Sequence, residues 1–238
     1  MVSSHKLITY NVGYMYRGSS ISIVIPCFNE EIGIRNVLQQ VPSYIDQVVV
    51  VDNNSTDNSA SVARSLGATV VTETNQGYGA AYKRGLPQAS GEIIVTLDGD
   101  DTYPVHEITG LLDFMLDNNS DFISASRFPL AHNETMKVVN RLGNYVLTHV
   151  TRVLFGVKIK DSQSGMWIFK RTVLEHVIPE SDGMAFSEEI KINAVLSPHV
   201  TFHEKHINYQ NRIGNAKLNV WGDGFLNLVF LFNKRFRT

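Results

Sequence analysis

Short apolar runs rich in β-branched residues alternate with helix-period segments through the first half of the chain, the pattern of a mostly parallel sheet buried between helices. These runs predict strands at Ile21–Pro26, Gln47–Asp52, Ala68–Glu73, Glu92–Asp98 and Asp121–Ser126. Between them Ile34, Val37, Leu38 and Val41 share one helical face, as do Val105, Ile108, Leu112 and Met115. After Arg127 the strict alternation stops. Val139, Leu142, Val146, Val150 and Val153 predict a long helix, followed by a short strand and turn over Ser164–Phe169, a helix over Ser187–Leu196 and a strand over Val200–Gln210. Leu218, Trp221, Phe225, Leu228, Val229 and Phe232 form the apolar stripe of a final helix, which suits either a lipid surface or the protein core.

Each predicted strand of the first half ends in a polar loop: Pro26-Cys27-Phe28-Asn29-Glu30, Asp52-Asn53-Asn54-Ser55-Thr56-Asp57, Asn75-Gln76-Gly77-Tyr78-Gly79 and Asp98-Gly99-Asp100-Asp101. Open parallel sheets bind ligands outside the carboxyl ends of their strands, so these four loops are expected to line one crevice. Asp98, Asp100 and Asp101 crowd three carboxylates at one strand end, where a divalent cation relieves their repulsion. Oxygen donors suit Mg²⁺ or Mn²⁺. The bland alternative is an acidic turn capping the helix that begins near Pro104. Asp52 can accept the N3 hydrogen of a uracil, or bond its own turn. Glu30 can hold ribose hydroxyls, or open a helix. Asp57 reads as a helix-start residue.

The 238 residues are 43% hydrophobic and 18% charged, enough for one large core, and the net charge of −2 offers no global field for nucleic acid. Anionic ligands must therefore be met locally. Arg127, Arg141, Arg212 and Lys217 are candidates for a phosphorylated acceptor, against a reading as scattered surface cations. Lys234, Arg235 and Arg237 suit a helix C-terminus or an anionic membrane surface. No Gly-X-Gly-X-X-Gly follows the first strand, and the Walker lysine, nucleophile-elbow and His-Glu-X-X-His motifs are missing from the sequence. Cys27 is the single cysteine, Met1–Ser20 lacks the features of a secretory signal, and no run approaches the ~20 apolar residues of a membrane span. The expectation is a cytoplasmic chain, soluble or peripheral on the cytosolic face of a membrane.

Taken together, Ile23-Val24-Ile25-Pro26-Cys27-Phe28-Asn29-Glu30-Glu31, Val50-Val51-Asp52-Asn53-Asn54-Ser55-Thr56-Asp57, Asn75-Gln76-Gly77-Tyr78-Gly79-Ala80 and Leu97-Asp98-Gly99-Asp100 resemble family 2 glycosyltransferases of the GT-A fold. Ser126-Arg127-Phe128, Asp161-Ser162-Gln163-Ser164-Gly165-Met166 and Asn211-Arg212-Ile213-Gly214-Asn215-Ala216-Lys217-Leu218 resemble the dolichyl-phosphate mannose and glucose synthase branch. The resemblance implies a GT-A nucleotide-diphospho-sugar transferase fold and an inverting transfer from a nucleoside diphosphate sugar to a polyprenyl phosphate. It implies that Pro26, Phe28, Glu30 and Asp52 hold the nucleoside, that Asp98 and Asp100 hold the metal-diphosphate, and that Arg127, Arg141, Arg212 and Lys217 meet the lipid phosphate.

Glu188 and Glu189 resemble the carboxylates that act as base toward a sugar hydroxyl; they also suit orientation of the donor sugar, or simply a helix start after Ser187. The expected organisation is an N-terminal extension, 1–20, and one catalytic domain, 21–238. Residues 21–126 form its nucleotide-sugar half and 127–238 its acceptor half. Asn53 stands where many relatives carry a second Asp, and Asp101-Thr102 replaces the Leu-Gln common in mannosyl members. These departures favour a UDP-linked donor over GDP-mannose. Transfer to a glycan hydroxyl and non-catalytic nucleotide-sugar binding are the rival readings.

Overall fold

The structure, a computed structural model, describes residues 15–177, 179–214 and 220–236. Its first half runs β1 (Ile21–Cys27), α1 (Glu31–Gln40), β2 (Gln47–Asp52), α2 (Ser59–Ser65), β3 (Thr69–Thr72), α3 (Tyr78–Gly85), β4 (Ile93–Thr96), α4 (Ile108–Asp117) and β5 (Phe122–Ser126). The second half runs α5 (Val138–Phe155), β6 (Trp167–Lys170), α6 (Phe186–Leu196), β7 (Phe202–His206) and α7 (Val220–Phe236). The five expected strands of the first half are all present. α2 and α3 are short helices that the apolar spacing did not single out.

One sheet carries all seven strands in the order β3-β2-β1-β4-β6-β5-β7. Every pair is parallel except those made by β6, which runs antiparallel between β4 and β5. The sheet is therefore mostly parallel, as expected, with one reversed strand that joins the two halves. β1 is an interior strand, between β2 and β4, and Ile21, Ile23, Val24 and Ile25 are all fully buried. At about 1.5–3 kcal/mol for each buried aliphatic side chain, that strand alone anchors the sheet firmly. Ile23 and Ile25 pack with Ile34 and Leu38 of α1 on one face, while Val24 and Val49 pack with Tyr82 of α3 and Phe186 of α6 on the other. Both faces of the sheet are thus covered, which is why its strands read as continuous apolar runs.

Most of the 1–20 segment lies outside the described residues, and its end is tied to the body. Tyr16 donates to Asp113 at 2.8 Å, and Arg17 pairs with Asp113 at 3.1 Å and Asp117 at 2.8 Å, both on α4. The apolar stripe of α5 turns largely outward: Val139, Leu142, Val146 and Val153 are exposed. α5 packs instead against α7 through Leu147, Leu231 and the residues around them, with Ile192 of α6 beneath.

Candidate active site

Hydrogen bonds from small polar side chains sew the strand-end loops together. Asn29 adopts a left-handed φ of 53°, and its Oδ1 accepts from the backbone nitrogens of Thr56 at 2.7 Å and Asp57 at 3.3 Å. Its own N–H donates to Ser55 Oγ at 3.0 Å, and Glu30 N–H donates to Ser59 Oγ at 2.8 Å. Asn53 Nδ2 donates to the carbonyls of Glu73 at 3.0 Å and Asn75 at 2.9 Å, while its Oδ1 accepts from Gly77 N–H at 2.9 Å. A carboxylate at position 53 has no donor for those two carbonyls. The departure from the family pattern at Asn53 thus has a structural reason. Gly33 lets α1 abut the fourth loop, since a Cβ there would sit 2.4 Å from the Gly99 carbonyl.

Asp98 and Asp100 project from the end of β4 into this cluster. Burial and the neighbouring Asp100 carboxylate push Asp98 up to about 7, against the hydrogen bond that Tyr78 donates at 3.1 Å. Asp100 Oδ1 accepts from Thr102 Oγ1 at 2.6 Å, and its Oδ2 accepts from Arg212 Nη1 at 2.5 Å. The other guanidinium nitrogen of Arg212 donates to Glu30 Oε1. A cation thus already sits between two of the expected ligand-binding carboxylates. The chemistry of the two strand-end carboxylates, Asp98 and Asp100, suits a hard divalent ion that keeps open positions for phosphate oxygens. Among the described residues no three His, Cys, Asp or Glu side chains converge as a ready metal cage.

Asp101 does not join them, which corrects the expected three-carboxylate cluster. Its backbone turns left-handed, φ 63°, and its carboxylate accepts from Gln40 at 2.8 Å and Asn36 at 3.4 Å on α1. The positive φ reverses the chain direction after Asp100 and sends the side chain to the helix. Asp52 is buried at the end of β2 and accepts from Ser55 N–H at 3.3 Å, the turn bond of its bland reading. Pro26 and Phe28 are half-buried beside it on the β1 side of the crevice. Asp57 Oδ1 accepts from Ser59 N–H at 2.9 Å at the start of α2, as a helix-start residue does.

The three described members of the expected basic quartet each bond a different protein partner. Arg127 is buried and bidentate on Asp161, with Nε at 2.7 Å and Nη2 at 2.8 Å. Its position as an acceptor-phosphate or catalytic group is corrected accordingly: its charge is spent within the fold, holding the 161–166 loop. Burial opposes the charge on Asp161, and the adjacent Arg127 guanidinium outweighs it, holding the carboxyl below its usual range. Arg141 donates to Asn133 at 2.7 Å near the start of α5, and Lys217 lies outside the described residues.

Glu188 and Glu189, both buried at the start of α6, have different surroundings. Glu189 is committed: Oε2 accepts from Glu180 N–H at 3.0 Å and Ser181 N–H at 2.9 Å, and Oε1 from Lys234 of α7 at 3.2 Å. It is corrected from candidate base to structural clamp. Glu188 Oε2 accepts from Gln163 Nε2 at 2.7 Å, while Oε1 is buried with no hydrogen-bond partner among the described residues. Burial pushes this carboxyl up to about 8, against the Gln163 bond and the charge of Lys191.

Tyr78, Tyr103 and Gly165 were not found by sequence reasoning. Tyr103 accepts the Gly165 N–H at 2.6 Å, and a Cβ on Gly165 would meet the Tyr78 hydroxyl at 2.2 Å and Asp98 Oδ1 at 3.2 Å. Gly165 carries the loop before β6 right up to the Asp98 carboxylate. Only its place in the Ser-Gly-Met run offered a signal.

Residues 22–178 match the family model described as glycosyl transferase family 2. The chain is 30% identical over 219 residues to the low-salt glycan biosynthesis hexosyltransferase Agl6 of Haloferax volcanii, covering 89% of this chain and 53% of that protein's length. It is 31% identical over 212 residues to a dolichyl-phosphate hexose transferase of the same organism, covering 88% and 91%. A UDP-N-acetylglucosamine–dolichyl-phosphate N-acetylglucosaminyltransferase of Methanococcus voltae is 26% identical over 178 residues, covering 65% and 71%. Among solved structures, glucosyl-3-phosphoglycerate synthase of Mycobacterium tuberculosis in complex with Mn²⁺, UDP and glucosyl-3-phosphoglycerate superimposes with a TM-score of 0.71 at 20% identity, over 92% of this chain and 80% of that one. This likeness shows a shared fold, the GT-A architecture expected from the sequence.

Proposed function

Because the chain belongs to glycosyl transferase family 2, we propose that this glycosyltransferase moves a hexose, with inversion, from a nucleoside diphosphate sugar to a polyprenyl phosphate, UDP donors being preferred. The observation that carries the reading is the Asp98 and Asp100 pair at the end of β4, beside buried Glu30 and Asp52. Its similarity to a dolichyl-phosphate hexose transferase over nearly the whole of both chains supports the acceptor class. Asp98 and Asp100 would hold Mg²⁺ or Mn²⁺, which when bound offsets charge developing on the leaving diphosphate. Pro26, Phe28, Glu30 and Asp52 border the nucleoside. Arg212, Arg141 and Lys217 are the acceptor-phosphate cations, and a phosphate oxygen already anionic at neutral pH attacks without a strong base.

A lipid surface is the proposed working place. On α7, Trp221 is 80% exposed, and Phe225, Leu226, Phe232 and Phe236 are exposed beside it; α5 adds Val138, Leu142, Tyr145 and Val153. Lys137, Arg141 and Arg235 on the same two elements suit anionic headgroups. Among the described residues no helix is long and apolar enough to cross a membrane. The test is incubation of labelled UDP- and GDP-sugars with polyprenyl phosphate and Mn²⁺ or Mg²⁺. Label entering the organic phase supports the reading; label that stays aqueous with every donor overturns it.

One observation favours a second acceptor class. Glu188, buried and raised to about 8, has the character of a base poised near neutral pH toward a sugar hydroxyl. In that case Glu188→Gln lowers the rate more than Arg212→Ala, and the product is a glycan.

A further inference from the structure

α7 exposes Trp221, Phe225 and Phe232, yet it buries an amide: Asn227 is 4% exposed. A buried amide needs partners, and this one has found Gln163, the hydrogen-bond partner of Glu188. Asn227 Nδ2 donates to Gln163 Oε1 at 3.0 Å. The opposite end of the Gln163 side chain, Nε2, donates to Glu188 Oε2 at 2.7 Å and to Ser162 Oγ at 3.1 Å. A primary amide has one donor end and one acceptor end. Whichever end Asn227 holds therefore decides which end meets Glu188.

We propose that Asn227 is a positioning residue of the transfer site: by holding the acceptor end of Gln163, it presents that side chain's N–H to Glu188. The second Glu188 oxygen is thereby kept for a hydroxyl of the donor sugar. The inference rests on the proposed sugar transfer for its purpose, and on the three-residue chain for its mechanism. It also ties the seating of α7, the helix with the exposed aromatic residues, to the polarity around a buried carboxyl of α6. The same helix grips the neighbouring carboxylate through Lys234 and Glu189 at 3.2 Å.

Among the described residues, the groups that face Glu188 are few. Glu189 and Lys191 flank it on α6, Gln163 comes from the loop before β6, and on α7 Lys234 is paired with Glu189 while Asn227 acts through Gln163. Burial and Glu189 favour the neutral carboxyl; Gln163 and Lys191 favour the charged one. Reversing the Gln163 side chain would set its carbonyl against Glu188, which only a protonated carboxyl accommodates.

Asn227→Asp makes that reversal, because an aspartate accepts where the asparagine donated. Carbon-13 titration of the Glu188 carboxyl in the full chain reads the outcome without substrate. The expected result is a midpoint raised by about one pH unit or more in Asn227→Asp. A smaller rise is expected in Asn227→Ala, and Gln163→Met should match the aspartate variant with α7 untouched. Thermal melting identifies a variant that fails to fold, in which case Asn227→Ala and Gln163→Met carry the test. A Glu188 midpoint that stays at the wild-type value in the folded variants overturns the proposal, as does a fall in Asn227→Asp.

Transfer assays with UDP-glucose and polyprenyl phosphate supply the second readout. kcat should drop roughly tenfold or more in Asn227→Asp, with the pH–rate profile displaced in the same direction as the carboxyl titration. A displaced titration with unchanged kcat in an active chain overturns the role in the site. If the wild-type chain transfers no sugar from any donor, the proposed function fails by itself, and the carboxyl titration still decides whether Asn227 governs Glu188.

Discussion

Arg212 donates to Asp100 at 2.5 Å, bringing the loop before α7 onto the carboxylate that ends β4. A divalent ion held by Asp100 would compete with this guanidinium for the carboxylate's charge. Arg212→Ala should bind Mn²⁺ about tenfold more tightly in the absence of nucleotide, since a charge-assisted hydrogen bond of ~1.5–3 kcal/mol no longer competes. Calorimetric titration with Mn²⁺ alone measures this. The same variant should raise the KM for polyprenyl phosphate; unchanged or weaker Mn²⁺ binding would refute the competition.

The three aspartates of the fourth loop should separate cleanly. Asp98→Asn and Asp100→Asn are expected to lower kcat by at least about a hundredfold, because the charge that holds the cation is lost. Asp101→Asn should stay within about twofold to threefold, since its side chain bonds Gln40 and Asn36, and asparagine tolerates φ 63°. Steady-state rates with Mn²⁺, beside melting curves that establish folding, distinguish the three.

Arg127 and Asp161 should matter for stability first. Removing one partner from a buried ion pair leaves a bare charge, so Arg127→Met is expected to cost about 3–5 kcal/mol in urea unfolding. Burial disfavours the Asp161 charge, but Arg127, aided by Lys191, holds its folded pKa below the ordinary value. Stability from this pair is thus present above the unfolded aspartate range, near ~4, and is lost as pH falls through the lower folded value. Asp161→Asn should flatten that acid-side dependence.

Glu188 has the opposite sign. Its folded pKa of about 8 exceeds the model-peptide value of 4.5, so the folded chain holds a proton there that the unfolded chain releases. The neutral carboxyl's contribution is complete below the unfolded value and is lost as pH rises through about 8. Glu188→Gln should therefore melt near the wild type below the unfolded value and above it at pH 9. Scanning calorimetry across that range checks the sign.

Trp221 reports on the lipid surface. Trp167 is fully buried, so any blue shift of emission on adding anionic vesicles comes chiefly from Trp221. Each exposed phenylalanine that enters the bilayer contributes about 1.5–3 kcal/mol, so Phe225→Ser or Phe232→Ser should weaken vesicle partitioning roughly tenfold. Partitioning that is unaffected by either substitution would sink the membrane reading of this face.

Local chemistry was legible in the sequence, and long-range partnership was not. β1 and β2 end where their apolar runs end, and the polar residues that follow form the crevice, because strand burial and strand-end loops are local properties. The direction of β6 carries no such mark: a short apolar run reads the same parallel or antiparallel. The stripe of α5 gave the correct helix but not its surroundings, since periodicity states that a face is apolar without stating what covers it. Arg127 was read as a phosphate ligand because its partner Asp161 lies 34 positions away. Asp101 was counted with its neighbours because nothing in the composition of the loop announces a left-handed residue. Asn53, a departure from the family pattern, is explained only once the loops after β2 and β3 are seen to meet on its amide.

The reversed strand has a consequence for how the chain is made. β4 and β5 are not neighbours; the slot between them is filled only by Trp167–Lys170. While synthesis proceeds from β5 to β6, the growing chain carries a naked sheet edge made of Ile93, Ile94 and Val95, an adhesive surface for other chains. Truncation before β6 should yield aggregates rather than a small nucleotide-binding unit. The strands on either side of β6 share one continuous ladder, so the sheet offers no hinge along which the first and second halves of the chain could part.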